Sequence, residues 1–307
     1  MNEFNKLYSD LHKLNFSALE KCLKAKKIST TCFVILLILG IYLLLAKIQG
    51  SPVSSTLLFF TLILFMISFI SMIIITDKTK HYITSDYYNT IISAIVQSVF
   101  PNAKYSYTSG LPERTYRRTN LFNRYNIYNA ENYISTNLDG ELLELSEIET
   151  ILITRDSEGD TTKQPDFIGV AAHLHCFPNI DSDIRIVQNL SKIGRSYIKQ
   201  QFVKLDSELF ENFFDVICDN QITAMQFLTS DVMEKFLLLL KKTHIPFEIY
   251  IQKSTGIYFR FFMHKFLDIN TSTRVLEFKT IRKHYLDLLG IKEIIYQIRN
   301  FTKNIDF

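Results

Sequence analysis

The sequence predicts an α+β protein: an N-terminal two-helix transmembrane hairpin, then a cytoplasmic domain with a mainly antiparallel sheet and flanking helices. Three observations predict it. Two uncharged apolar runs, residues 28–46 and 48–76, are separated only by Lys47. Beyond them the chain breaks into short patterned stretches bounded by turn residues. Those stretches come in the order helix, strands, helices, hairpin, helix, which suits helices segregated on an antiparallel sheet.

Residues 1–27 read as a juxtamembrane helix. Leu7, Leu11, Leu14, Phe16, Leu19 and Leu23 recur at spacings of two to four, and the helix is expected to run on into the first span. The hairpin occupies residues 28–76, with spans at 28–46 and 53–76. At a rise of about 1.5 Å per residue the first run covers roughly 28 Å, close to the hydrocarbon thickness of a bilayer. Gly50 and Pro52 break the helix between the spans. A cleaved signal peptide fits poorly, because a long charged segment precedes the first run and a second run follows at once. Lys21, Lys24, Lys26 and Lys27 precede the first span, and Lys78 and Lys80 follow the second. The positive-inside rule then places both termini in the cytoplasm.

The cytoplasmic domain is residues 77–307. Asp86 is placed to cap a helix to Phe100, with Tyr88, Ile91, Ile92, Ile95, Val96 and Val99 on one face. Residues 103–130 read as irregular. Tyr133–Leu138 and Leu142–Ser146 flank Asp139-Gly140, a strong hairpin signal. Glu147–Thr154 continues as a strand, Arg155–Asp166 as a polar loop, and Phe167–Phe177 as a strand. Ile184–Gln188 and Gln200–Leu205 are further strands. Ser207–Phe213 reads as a short helix, Phe214–Cys218 as a strand and Thr223–Phe227 as a helical turn. Asp231 with Glu234 fits a capping box for a helix ending near His244-Ile245-Pro246. Phe247–Gln252 alternates polar and apolar, and with Ile257–His264 forms a second hairpin around Gly256. Residues 275–303 read as helix, broken at Gly290. Phe210, Phe213, Phe214 and Val216 are expected in the core.

The net charge of +3 is unevenly placed. Residues 1–81 hold nine Lys and four acids, a balance of +5, which leaves −2 for the rest. The cytoplasmic domain therefore has no net attraction for nucleic acid, and no nucleic-acid partner is expected. Cys22, Cys32, Cys176 and Cys218 form no CxxC pair and are too few for a disulfide scaffold.

Several stretches resemble a known family. They are Thr119-Asn120-Leu121-Phe122, Ala130-Glu131-Asn132-Tyr133-Ile134, Leu143-Glu144-Leu145-Ser146-Glu147-Ile148 and Phe167-Ile168-Gly169-Val170. The most specific runs from Val203 through Phe210-Glu211-Asn212-Phe213-Phe214-Asp215-Val216 and Asp219-Asn220-Gln221-Ile222-Thr223 to Phe236. On these the chain resembles the bacterial membrane proteins of the domain of unknown function 3137 (DUF3137). Ala171-Ala172-His173-Leu174-His175 departs from the more apolar family pattern. The expected basic residue near Met225-Gln226 is also missing. The resemblance implies the architecture, and with the lysine pattern it implies a multi-pass protein of the cell inner membrane. It brings no activity.

His173-Leu174-His175-Cys176 is the most chemical-looking cluster. On a strand, residues two apart share a face, so both imidazoles can meet one metal, with Asp181 and Asp183 close in sequence. Cys176 then points to the other face, and solvent-facing or hydrogen-bonded histidines are the preferred reading over a metal site. Arg114, Arg117, Arg118 and Arg124, interleaved with Tyr116, Phe122 and Tyr125, form a basic patch. Nucleic acid or lipid headgroups compete for it. Pairing with Glu131, Glu141, Glu144 and Glu147 within the domain is preferred. Asp156-Ser157-Glu158-Gly159-Asp160 lacks the spacing of a calcium loop. The acidic run Asp206, Glu208, Glu211, Asp215 and Asp219 suits caps and surface. The chain has no P-loop, GxGxxG, GxSxG or HExxH, and its spans contain no ionisable residue. The expected function is a membrane-anchored cytoplasmic binding or scaffolding protein. It has no catalytic residues and no cofactor, and its partners are the lipid bilayer and an unidentified protein. The alternative is a membrane-bound metal-dependent hydrolase using His173 and His175.

Overall fold

The computed structural model describes residues 2–50, 54–119, 125–155, 159–189, 201–264, 266–268 and 276–303. Within the expected elements, Met1, Ser51, Pro52, Val53, Asn120–Arg124, Asp156–Glu158, Gln200 and Val275 lie outside the described residues. Chain contacts divide the protein into two units, Met1–Ser93 with Ile269–Ile281 and Ala94–Asp268 with Arg282–Phe307.

In the first unit, α1 (Asn2–His12) and α2 (Ser17–Ile48) are separate helices. The continuous helix expected from Leu7 to the first span is thus interrupted. Asn15 accepts a hydrogen bond from the Ser17 backbone (3.0 Å), a local turn that competes with helix. Helix α3 (Ser55–Tyr82) packs antiparallel on α2, with Phe33 against Phe65 and Phe69 (4.9 and 5.9 Å) and Ser29 facing Ser71 (3.5 Å). Both helices are long and apolar enough to cross a membrane.

No cap forms at Asp86. The helix begun at Ser55 passes through a π-helical stretch, Ile83–Ile92, into α4 (Ser93–Val99). Ser85 Oγ donates to the Asp86 carboxylate (2.8 Å), and Thr90 Oγ1 donates to the Ser85 carbonyl (3.1 Å). These hydroxyl contacts lie inside the helix, so Asp86 has no free N-terminus to cap.

Among the described residues, the second unit is built on one nine-stranded antiparallel sheet of order β1-β2-β3-β4-β9-β8-β5-β7-β6. Its strands are β1 (Lys104–Ser106), β2 (Ile127–Leu138), β3 (Glu141–Arg155), β4 (Thr161–His175), β5 (Ile184–Gln188), β6 (Phe202–Val203), β7 (Phe214–Cys218), β8 (Phe247–Gln252) and β9 (Gly256–Phe262). Asp139 (φ 50°) and Gly140 (φ 93°) make the β2–β3 turn. Strand β4 begins at Thr161, so the expected loop Arg155–Asp166 is mostly strand. The irregular stretch 103–130 contains β1 and a short helix α5 (Glu113–Thr119).

Helices α6 (Glu208–Glu211), α7 (Gln221–Phe227) and α8 (Ser230–Thr243) follow local caps. Ser207, Asn220 and Thr229 accept from backbone N–H groups two or three residues on. Thr229 thus replaces Asp231 as the α8 cap. Phe236 on α8 lies 6.0 Å from Phe247 and 5.9 Å from Phe210. Helix α9 (Phe278–Lys303) is unbroken at Gly290. A Cβ at Gly290 would lie 2.9 Å from Ile245, so the glycine serves close packing rather than a kink. Near its end Arg299 pairs with Asp139 (2.8 Å) and Glu141, and Lys303 with Glu141 (3.0 Å). Phe210, Phe214 and Val216 are buried, but Phe213 is 47% exposed and is not a core residue. Phe213 follows α6 at the turn into β7, and neighbouring strand residues face opposite ways.

Candidate functional site

The register of the sheet brings chemistry into one row. Glu144 on β3 pairs with His173 on β4, His173 with Tyr258 on β9, Tyr258 with Tyr250 on β8, and Tyr250 with Arg185 on β5. Register partners face the same side of a sheet, so the five side chains form a ladder across five strands. His173 and Tyr258 stack at 4.1 Å with 7° between their planes, Tyr258 and Tyr250 at 6.0 Å, and the Arg185 guanidinium lies 3.6 Å from the Tyr250 ring centre.

Gly256 lets the strands close on this row. Its φ is +118°, and a Cβ there would lie 2.1 Å from the Leu174 carbonyl oxygen. No other residue fits that approach. The β8–β9 turn therefore seats against β4, and the Thr255 carbonyl reaches His173 Nε2 at 2.8 Å.

His173 is buried, its ring 3.8 Å from that of His175. His175 is more exposed, and its Nε2 lies 2.6 Å from Glu144 Oε2. The Tyr133 hydroxyl donates to the other Glu144 oxygen. The ligand atoms of Glu144, His173 and His175 lie within 4.8 Å of one another. Burial pushes His173 down to about 4, with the Thr255 contact opposing. The ring is thus neutral at pH 7. Because a carbonyl only accepts, Nε2 carries the proton and Nδ1 keeps a lone pair. Burial raises the Glu144 carboxyl, but hydrogen bonds from Tyr133 and His175 outweigh it, and the net direction is down. Burial, then the bond to Glu144, pushes Tyr133 up to about 12. The buried Cys176 thiol is likewise pushed up to about 12, chiefly by burial, which leaves it inert.

Asp181 and Asp183 have other partners. Asp183 accepts from Tyr250 (2.7 Å) and from the Lys253 backbone (3.0 Å), and Asp181 pairs with Lys253 (3.7 Å). Both line a pocket of about 290 Å³ with Arg185, Asp219 and Lys253 at the far end of the ladder. Among the described residues, the basic stretch reaches the row through Arg118. Arg118 on α5 donates to the Tyr258 hydroxyl (3.1 Å), and that hydroxyl donates to Thr255 Oγ1 (3.0 Å). Arg117 pairs with Glu113 (2.6 Å) and covers Tyr125 at 4.9 Å. Glu141, Glu144 and Glu147 instead bond Arg299 and Lys303, Tyr133 and His175, and Asn132. Phe122 and Arg124 fall outside the described residues. Beside the ladder, Arg260 and Glu248 form a buried cross-strand pair (3.4 Å), with Arg260 over the Phe167 and Phe262 rings (4.5 and 5.2 Å).

The comparisons with known proteins bear on this segment. Residues 165–299 match the family described as protein of unknown function (DUF3137). The DUF3137 match runs from within β4 into α9, so it includes His173, His175 and Tyr258 and leaves out Glu144. The crystal structure of the mycobacterial trehalose monomycolate transport factor A, TtfA, is similar to 61% of this chain and 86% of its own. The identity is 11% and the TM-score 0.34. No curated protein matches the chain.

Proposed function

We propose that the protein is a membrane-anchored binding module, with α2 and α3 inserted as a hairpin and the sheet unit presented in the cytoplasm. The observation that carries the reading is the outward display of apolar side chains on both helices. Ile38, Phe59 and Leu62 are each 60% or more exposed, among many others along α2 and α3. Water does not support an apolar surface of that extent, and lipid covers it at no such cost. Lysines near the outer ends of the hairpin and a lone Lys47 at its closed end favour cytoplasmic termini.

Binding is favoured over catalysis because Tyr258, Tyr250 and Arg185 along the ladder are already committed to one another. The rival reading, a metal-dependent hydrolase, is favoured by the proximity of Glu144 to His173 and His175. It asks for a further group near the ion to activate water, and Asp181 and Asp183 are engaged with Lys253 and Tyr250. Alkaline extraction of membranes from producing cells tests the anchor. The reading expects the chain in the pellet, released only by detergent. Release by carbonate alone sinks it.

A further inference from the structure

We propose that Glu144, His173 and His175 form a binding site for one divalent cation of the zinc class, with one coordination position open to solvent. This goes beyond the membrane reading and does not depend on it.

Four observations support the site. The ligand types are two imidazoles and one carboxylate, a set that suits zinc and disfavours magnesium or calcium. The ligand atoms already lie within 4.8 Å of one another without an ion. Two neighbouring strands hold them: His173 and His175 project from the same face of β4, and Glu144 stands opposite His173 on β3. The outer contacts are those of a metal site. The Thr255 carbonyl accepts a hydrogen bond from the Nε2–H of His173 and orients the ring, and the Tyr133 hydroxyl donates to the second oxygen of Glu144.

The access route is also defined. His173 is buried under the Tyr258 ring, whereas the His175 side chain is 41% exposed, so an ion enters from the His175 side. On entry it replaces the hydrogen bond between His175 and Glu144 with two metal bonds, and the proton that His175 Nε2 shared with the carboxylate passes through solvent to Nδ1, freeing the Nε2 lone pair. Three protein ligands then leave a fourth tetrahedral position, on the solvent side, for water or for a donor atom of a partner.

The test uses the full chain in detergent, titrated with zinc alone and, separately, with cobalt(II) as a visible reporter of tetrahedral coordination. The expected result is one equivalent of zinc per chain, undisturbed by a large excess of magnesium. Tyr133→Phe should weaken binding about 10–100-fold, as loss of an outer-shell partner does. His175→Ala and Glu144→Gln should weaken it more than Tyr133→Phe. His175 is exposed enough for its variant to keep the fold, which an unchanged melting curve verifies. Wild type that binds no zinc overturns the proposal. So does wild-type affinity retained by either His175→Ala or Glu144→Gln.

Discussion

His173 lies face to face with Tyr258, ring centroids 4.1 Å apart and planes within 7°, as register partners on neighbouring strands. The stack fixes the imidazole from one side while the Thr255 carbonyl fixes it from its edge. The same tyrosine hydroxyl is bonded to Arg118 and Thr255, so one residue joins α5, the β8–β9 turn and the histidine pair.

Tyr258→Phe keeps the stack and removes the hydroxyl contacts. It should cost about 1 kcal/mol for the lost hydrogen bonds. Tyr258→Leu also removes the stack, worth about 0.5–1.5 kcal/mol more. Chemical denaturation of the full chain in detergent gives both values. Equal stabilities for the two variants would mean that the stack contributes nothing.

Phe210 is fully buried and Phe213 is half exposed, although only two residues separate them in the most family-like segment. Phe210→Ala should therefore cost about 3–5 kcal/mol. Phe213→Ala should stay within about 0.5 kcal/mol of wild type. Thermal melting distinguishes them, and a reversed order contradicts the packing described.

The Glu248–Arg260 pair is buried between β8 and β9. Glu248→Leu removes the carboxylate that faces the buried Arg260 guanidinium across the strands and should cost about 3–5 kcal/mol. Adding Arg260→Met should recover most of that loss. A double variant as unstable as the single one would show that loss of the pair itself, not the buried guanidinium left behind, sets the cost.

Much of the sheet was legible, and the site was legible only in part. Asp139-Gly140 and the alternation of Phe247–Gln252 gave their hairpins, because local backbone preference and burial agree there. His173 and His175 stood out as a pair on one strand face. Glu144 did not, for a reason visible in the register. Arg155 pairs with Thr161, and counting straight back from there would set Glu144 opposite Ala172. A one-residue shift between Thr150 and Ile151 moves it opposite His173 instead. Such a bulge answers to packing across the whole sheet and leaves no local signature. Tyr258 and Thr255 come from the β8–β9 hairpin, more than eighty residues away, joined to β4 by the close approach at Gly256. Asp86 and Gly290 misled for the converse reason. Each carries a local signal for a helix end, and tertiary packing carries the helix through.

Glu147 supplies a pH dependence. Burial, with Glu131 and Asp268 nearby, pushes its carboxyl up to about 7, while Asn132 and the Phe266 backbone oppose. The unfolded value is about 4.3. The folded state therefore holds this proton more tightly. Its contribution to stability is full below about pH 4.3 and is lost as pH rises through 7. Glu147→Gln should flatten the fall in stability between pH 5 and 8, as read from denaturation midpoints. An identical fall in the variant would place the titration elsewhere.

The central claim is that the helical hairpin holds the sheet unit at the cytoplasmic face of a membrane. Its most direct test is thiol labelling in intact cells, with the four native cysteines changed to serine. Ser51→Cys reports on the hairpin turn and Lys163→Cys on the exposed edge of the sheet unit. An impermeant maleimide should label the cysteine at position 51 in intact cells, and the one at 163 only after lysis. Labelling at 163 in intact cells with position 51 protected would contradict the account.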